Sequence, residues 1–167
     1  MEKYRVGETV VHWIYGSGKI VAVDDKGLPG EPCFYYVIEG SQQTLWVPVD
    51  EIGRSSLHLP TSRSDLKLLV NILHSQGKMM SDNPYQRRDQ LKEQMQKASP
   101  EDLCRVIRDL TYRSRREKLS DGDILTLKLA QTNLLDEWEL SLGSPREEAR
   151  LEMEWILKGI PSRQNTF

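Results

Sequence analysis

The sequence predicts an α+β protein of two domains, a small Tudor- or SH3-like β-barrel followed by a compact all-α domain of about five helices. Three observations predict it. Residues 4–48 alternate short β-branched and aromatic runs with turns rich in glycine and proline. Beyond Thr61 the apolar spacing changes to i, i+3, i+4, i+7. Over that second stretch a serine recurs three residues before an acid, the pattern of a capped helix start. The expected boundaries are 1–60 for the barrel, 61–159 for the helical domain and 160–167 for a disordered tail.

In the first domain, 9–13 is the first strand, and Gly16-Ser17-Gly18 turns the chain into a second at 19–23. Residues 26–30 (Lys-Gly-Leu-Pro-Gly) form the next turn, with glycines free to take positive φ and a proline that fixes its own. Strands at 34–38 and 44–47 complete the set, the last stopped by Pro48. Four or five short strands in about 50 residues suit a strongly bent barrel better than a sandwich. Residues 49–60 read as a connector.

The helical half has four start signals: Ser62 before Asp65, Ser99 before Asp102, Ser120 before Asp123 and Ser144 before Glu147. Each hydroxyl can accept from a free N–H of a first turn, and each acid favours the positive end of the helix dipole. Pro100 and Pro145 suit the first helical position, and Gly77, Gly143 and Gly159 suit helix ends. The expected helices are 63–76, 84–97, 100–117, 121–142 and 145–158. Leu103, Val106, Ile107 and Leu110 form one apolar row, and Leu127, Ala130, Leu134 and Trp138 another.

Composition narrows the function. With 38% hydrophobic and 29% charged residues, the 167-residue chain suits two small cores. The net charge of −2 is unevenly spread: residues 1–60 carry 5 basic against 8 acidic side chains, while 105–118 carry 6 against 2. Nothing here coats the chain for nucleic acid, but a focused phosphate contact is open. Cys33 and Cys104 have no partner at metal-ligand spacing and are expected to be reduced thiols. No apolar run reaches the length of a membrane span, and a cytoplasmic protein is expected.

Catalytic readings are thin. His12, His58 and His74 are scattered without zinc-ligand spacing, and Gly16-Ser17-Gly18 lacks the lysine of a phosphate loop. No catalytic residue, metal or cofactor is expected. Trp13, Tyr15 and Trp46 either fill the barrel or offer a protein-binding surface. Arg87, Arg88 and the row Arg105, Arg108, Asp109, Tyr112 and Arg113 are either phosphate contacts or a solvated, salt-bridged face. Tyr85, beside Pro84, is either a hydrophobic staple or an aromatic that stacks on a base.

The order of motifs resembles the CarD/CdnL family of bacterial transcription regulators over about residues 4–158. The matching residues are Val6-Gly7-Glu8-Thr9-Val10-Val11, Tyr35-Tyr36-Val37-Ile38 and Val47-Pro48 in the first half. In the second they are Asn83-Pro84-Tyr85-Gln86-Arg87-Arg88, Ile107-Arg108-Asp109-Leu110 through Arg113, and Leu119-Ser120-Asp121-Gly122-Asp123.

The resemblance implies a Tudor-like domain that adds its sheet edge to the β subunit of RNA polymerase, with Lys26, Leu28 and Trp46 at the contact. It implies a helical domain that touches promoter DNA at the upstream edge of the transcription bubble, through Tyr85, Arg87, Arg88 and Arg113. Two positions depart from the family: its usual wedging tryptophan falls at Tyr85, and a position often basic is Trp46. A weaker wedge and a more apolar polymerase contact are expected. The rival is an adaptor on RNA polymerase whose helical domain binds another protein. Nothing in the sequence predicts self-association, and a monomer is expected.

Overall fold

In the computed structural model, residues 3–12, 14–49, 57–97 and 99–161 are described. The chain divides into two compact units, Met1–Pro60 and Thr61–Phe167.

Among the described residues the first unit forms a five-stranded antiparallel sheet of order β4-β3-β2-β1-β5. Its strands are β1 Thr9–His12, β2 Gly16–Asp25, β3 Phe34–Gly40, β4 Thr44–Pro48 and β5 Leu57–His58. β2 is long enough to pair with β1 through its first residues and with β3 along most of its length. A register shift between Ile20 and Ala22 lets it bend. Tyr4, Val10, Ile20, Tyr36, Ile38, Val47, Val49 and Leu57 form the core. The two tyrosine hydroxyls stay satisfied there, Tyr4 donating to the Leu57 carbonyl (2.7 Å) and Tyr36 accepting from the Tyr4 N–H (3.1 Å).

Two local expectations change. Gly16-Ser17-Gly18 opens β2 rather than preceding it, with the reversal at Ile14 and Tyr15. The connector contains β5, whose two residues pair with Val11 and His12. A two-residue strand leaves no periodicity to read.

The second unit holds α1 Leu66–His74, α2 Pro84–Gln96, α3 Pro100–Ser114, α4 Asp121–Leu142 and α5 Arg146–Lys158. α3 packs against α1, α2 and α4. Its Leu103, Val106, Ile107 and Leu110 are buried, each such side chain contributing about 1.5–3 kcal/mol, and Cys104 is buried among them. Gly77 lies against α3, where an added Cβ would come within 2.5 Å of Tyr112 Cβ.

Ser99 and Ser120 cap as expected, Ser120 forming a full capping box with Asp123. Ser62 and Ser144 do not. Ser62 hydrogen-bonds the Asp65 side chain, and α1 begins three residues after the expected start. The Ser144 hydroxyl is buried with no hydrogen-bond partner among the described residues, and Pro145 stands at the cap, one position before α5, rather than at the first helical position. Gly143 and Ser144 are all that separates the end of α4 from that proline, so the reversal rather than a cap sets the serine's position. Thr61 is tied to α4: its N–H donates to the buried Glu137 carboxylate, and its carbonyl accepts from the Ser141 hydroxyl (2.6 Å). Ile160, expected in the tail, is buried, and its carbonyl accepts from Arg115. Residues 162–167, the remainder of the expected tail, lie outside the described residues.

Candidate functional site

The first unit offers a sheet edge. β4 pairs with β3 alone among the described strands, so its outer N–H and C=O groups can accept an added strand. Strand alternation sends Val47 into the core and Trp46 outward, 45% exposed. The Lys26 ammonium lies 4.3 Å from the Trp46 ring centroid and 3.1 Å from the Asp24 carboxylate. The cation–π contact is worth only about 0.5–1 kcal/mol, but it holds ring and charge as one unit.

The loop between β2 and β3 sets this arrangement. Asp25 accepts from the backbone N–H of Gly27 (2.8 Å) and of Cys33 (2.9 Å), and these two bonds hold its carboxyl below the usual carboxylate range. Gly27 has no room for a side chain: a Cβ would sit 2.1 Å from the Glu31 carbonyl oxygen and 2.5 Å from Cys33 N. Leu28 stands on this loop, 73% exposed. The resemblance pointed to Lys26, Leu28 and Trp46 but not to Asp25. An aspartate two residues before a glycine is the signal of a side-chain-closed turn. Tyr15 is exposed against the His12 ring, and Trp13 lies outside the described residues.

The second unit brings two helix starts together. The Asn83 side chain accepts from Tyr85 N (2.9 Å) and Gln86 N (3.3 Å), with Pro84 at the first helical position. That cap leaves Tyr85 on the first turn, 71% exposed, with the Arg88 guanidinium 5.9 Å from its ring centroid. Between this turn and the start of α4 lies a concavity of about 300 Å³ whose lining includes Tyr85, Arg88, Leu91, Ser120, Asp123 and Thr126. The first turn of α2, which carries no acid, and the Arg88 cation favour an anionic ligand, the ring offers a stacking face, and the Asp123 carboxylate at the α4 start is offset by its pair with Arg87. The only ion pair of Arg88 among the described residues is with Asp89, at 4.0 Å and largely exposed to solvent, so its charge remains available.

Arg87 and Arg113, expected beside them as phosphate contacts, are interior. Arg87 is 4% exposed; its Nε donates to both Asp123 carboxylate oxygens (3.1 and 3.0 Å), and its Nη1 donates to the Ser81 carbonyl (2.7 Å). Arg113 pairs with Asp82 (3.3 Å) and Glu117 (2.9 Å). Arg108 pairs with Asp109 (2.7 Å) and donates to the Ser75 hydroxyl (2.7 Å), while Asp109 accepts from Lys78 N (2.9 Å). The row from Arg105 to Arg113 therefore faces mainly inward, Arg105 alone remaining part-exposed on Asp102.

The physical reason is the segment between α1 and α2. Its backbone and hydroxyl groups need partners, and the arginines and Asp109 supply them. Burial alone would raise the Asp123 carboxyl, but hydrogen bonds from Arg87 and Ser120 outweigh it and hold it below the usual range. Burial pushes the Cys104 thiol far up, out of reach of thiolate chemistry. Among the described residues there is no cluster that could hold a metal, and no helix is long and apolar enough to cross a membrane.

Residues 4–65 match the family model described as the CarD-like/TRCF RID domain, and residues 68–154 match that of the CarD C-terminal domain. A protein of Bacillus subtilis (strain 168) named "Putative transcription factor YdeB" is 24% identical over 152 residues, covering 88% of this chain and 97% of its own. Two family matches in this order, on a bent five-stranded sheet and a five-helix unit, leave one assignment: the chain belongs to the CarD-like family of transcription regulators.

Proposed function

We propose that this chain binds the β subunit of RNA polymerase through strand β4 and the Lys26–Trp46 patch, and stabilises the open promoter complex through Tyr85 and Arg88. It acts by binding rather than catalysis, without a cofactor, in the cytoplasm where polymerase works. The observation that carries the reading is the exposed Tyr85–Arg88 pair on a capped helix start beside a second one. A base at the upstream edge of the bubble stacks on the ring while Arg88 meets a phosphate. Arg87 and Arg113 take a different part from the one the sequence suggested: they hold the turn from inside.

One exposed arginine and one tyrosine are too weak to find a promoter alone. Attached to polymerase, they act at high effective concentration. An interaction of about 1–2 kcal/mol made only with the open state raises its population roughly 5- to 30-fold. The test is the lifetime of the open complex formed by cognate polymerase, with and without the chain. Lengthening that needs both Trp46 and Tyr85 is expected; unchanged lifetime despite polymerase binding overturns the DNA half.

The inward turn of Arg87, Arg108 and Arg113 also lends weight to the adaptor reading, because it removes charge from the surface. Salt separates the two. A phosphate contact by Arg88 makes the stabilisation fall with salt by about 0.9 log unit per decade, and Arg88→Ala removes that slope. An adaptor shows no such dependence on Arg88.

A further inference from the structure

We propose that the helical unit carries a self-complementary docking surface, built from α1, α4 and α5, for a second copy of this chain. α5 presents Glu148, Leu151, Glu152 and Trp155 at i, i+3, i+4 and i+7, all four exposed. Trp155 is 73% exposed and Leu151 55%. The helix already buries a separate apolar face, Ala149, Met153 and Ile156, so these two are not displaced core residues. A tryptophan and a leucine standing together in solvent mark an association surface.

The charges around them select the occupant. Arg150 engages Glu147 and Glu154, whereas Glu148 and Glu152 form no ion pair among the described residues. The ridge is therefore apolar and acidic. Next to it runs a groove of about 390 Å³ with an apolar lining of Leu66, Val70 and Leu142 and the cations Arg63 and Lys67. Neither cation has an ion-pair partner among the described residues. Glu152 belongs to both features, as a member of the ridge and a residue of the groove lining, so the two are contiguous.

An acidic apolar ridge beside a basic apolar groove is complementary to itself. A two-fold axis lays each ridge in the other copy's groove, with Leu151 and Trp155 on the apolar lining and Glu148 and Glu152 opposite Arg63 and Lys67. A polyanion such as DNA meets two unpaired carboxylates on the ridge and gains little there. The sequence hid this surface because its halves, 63–70 and 142–155, meet only where α1, α4 and α5 pack.

The proposal is independent of the promoter reading and is tested on the full chain by sedimentation velocity from micromolar to millimolar concentration. The expected result is a concentration-dependent shift toward the mass of two chains, weakened at least about tenfold by Trp155→Ala. The charge reversals Arg63→Glu with Lys67→Glu, and Glu148→Lys with Glu152→Lys, each give single chains, and mixing the two variants restores the pair. Restoration on mixing is an outcome that misfolding cannot produce. A single-chain mass at every concentration overturns the proposal. So does association that ignores Trp155→Ala, or reversed variants that melt normally and fail to pair when mixed. A photo-crosslinker at position 155 that labels a polymerase subunit, in a chain that stays single, assigns the surface to another protein and also overturns it.

Discussion

Arg87 and Asp123 join the first turn of α2 to the first turn of α4, the arginine Nε reaching both carboxylate oxygens at 3.1 and 3.0 Å and Nη2 adding a third contact at 3.0 Å. The same carboxylate completes the Ser120 capping box. One buried anion thus fixes a helix start and, through Arg87, the turn that carries Tyr85 two residues earlier.

Removing either partner strands a buried charge. Arg87→Ala is expected to cost about 3–5 kcal/mol in urea unfolding. Asp123→Ala loses the pair and the cap together. Because the two share one interaction, the double substitution costs less than the sum, with a coupling of about 1–3 kcal/mol in a double-mutant cycle. Strictly additive costs would separate the two residues.

Tyr85→Ala and Arg88→Ala touch exposed groups and are expected to leave unfolding within about 0.5 kcal/mol of the parent. Each nevertheless shortens the open-complex lifetime, and Tyr85→Trp lengthens it because the larger ring stacks over more area without a hydroxyl to keep wet. Run-off kinetics after a competitor challenge measure all three. A Tyr85→Trp chain no better than the parent removes stacking from the account.

Gly27→Ala pushes a methyl into the backbone of Glu31 and Cys33. The loop opens, Lys26 leaves the Trp46 ring, and polymerase binding weakens by about tenfold or more while the sheet core, remote from the loop, stays folded. Pull-down with the isolated β subunit, alongside a thermal melt, distinguishes a lost surface from a lost fold.

The first unit is expected to lose stability in acid. Burial, reinforced by the neighbouring His58, lowers His12 from 6.5 to about 4. Below pH 6.5 the unfolded chain takes up a proton that the folded one refuses, so this contribution is complete above pH 6.5 and is lost as pH falls toward 4. A loss of about 1–3 kcal/mol over that interval is expected. His12 Nδ1 accepts from Ile14 N (3.1 Å) and Tyr15 N (3.4 Å), and the amide oxygen of asparagine can take that place. His12→Asn therefore flattens the pH profile of chemical unfolding; an unchanged slope assigns the acid sensitivity elsewhere.

Fold class was legible because each half repeats its own period, alternation before residue 50 and helical spacing after 61. Long helices with paired signals were legible too: Ser120 with Asp123 opens α4, and Gly143 follows its end. Short features were not. β5 is two residues long, and the serines at 62 and 144 carry a start signal that the local turn redirects. At the candidate site, Tyr85 could be singled out from its place beside Pro84 and Arg88 as one of a basic pair. The fate of Arg87 and Arg113 could not, since their partners Asp123 and Asp82 lie 36 and 31 residues away and only the fold brings them together. A basic run in a sequence counts charges; whether they face water is decided by which loops need their donors.

α4 holds Asp123 in its first turn and, near its other end, Glu137 and Ser141 hold Thr61. Fourteen helical residues, about 21 Å, separate the two attachments. Thr61 is the first residue of the helical unit, so one continuous helix joins the residue at the unit boundary to the carboxylate that, through Arg87, holds the turn of Tyr85.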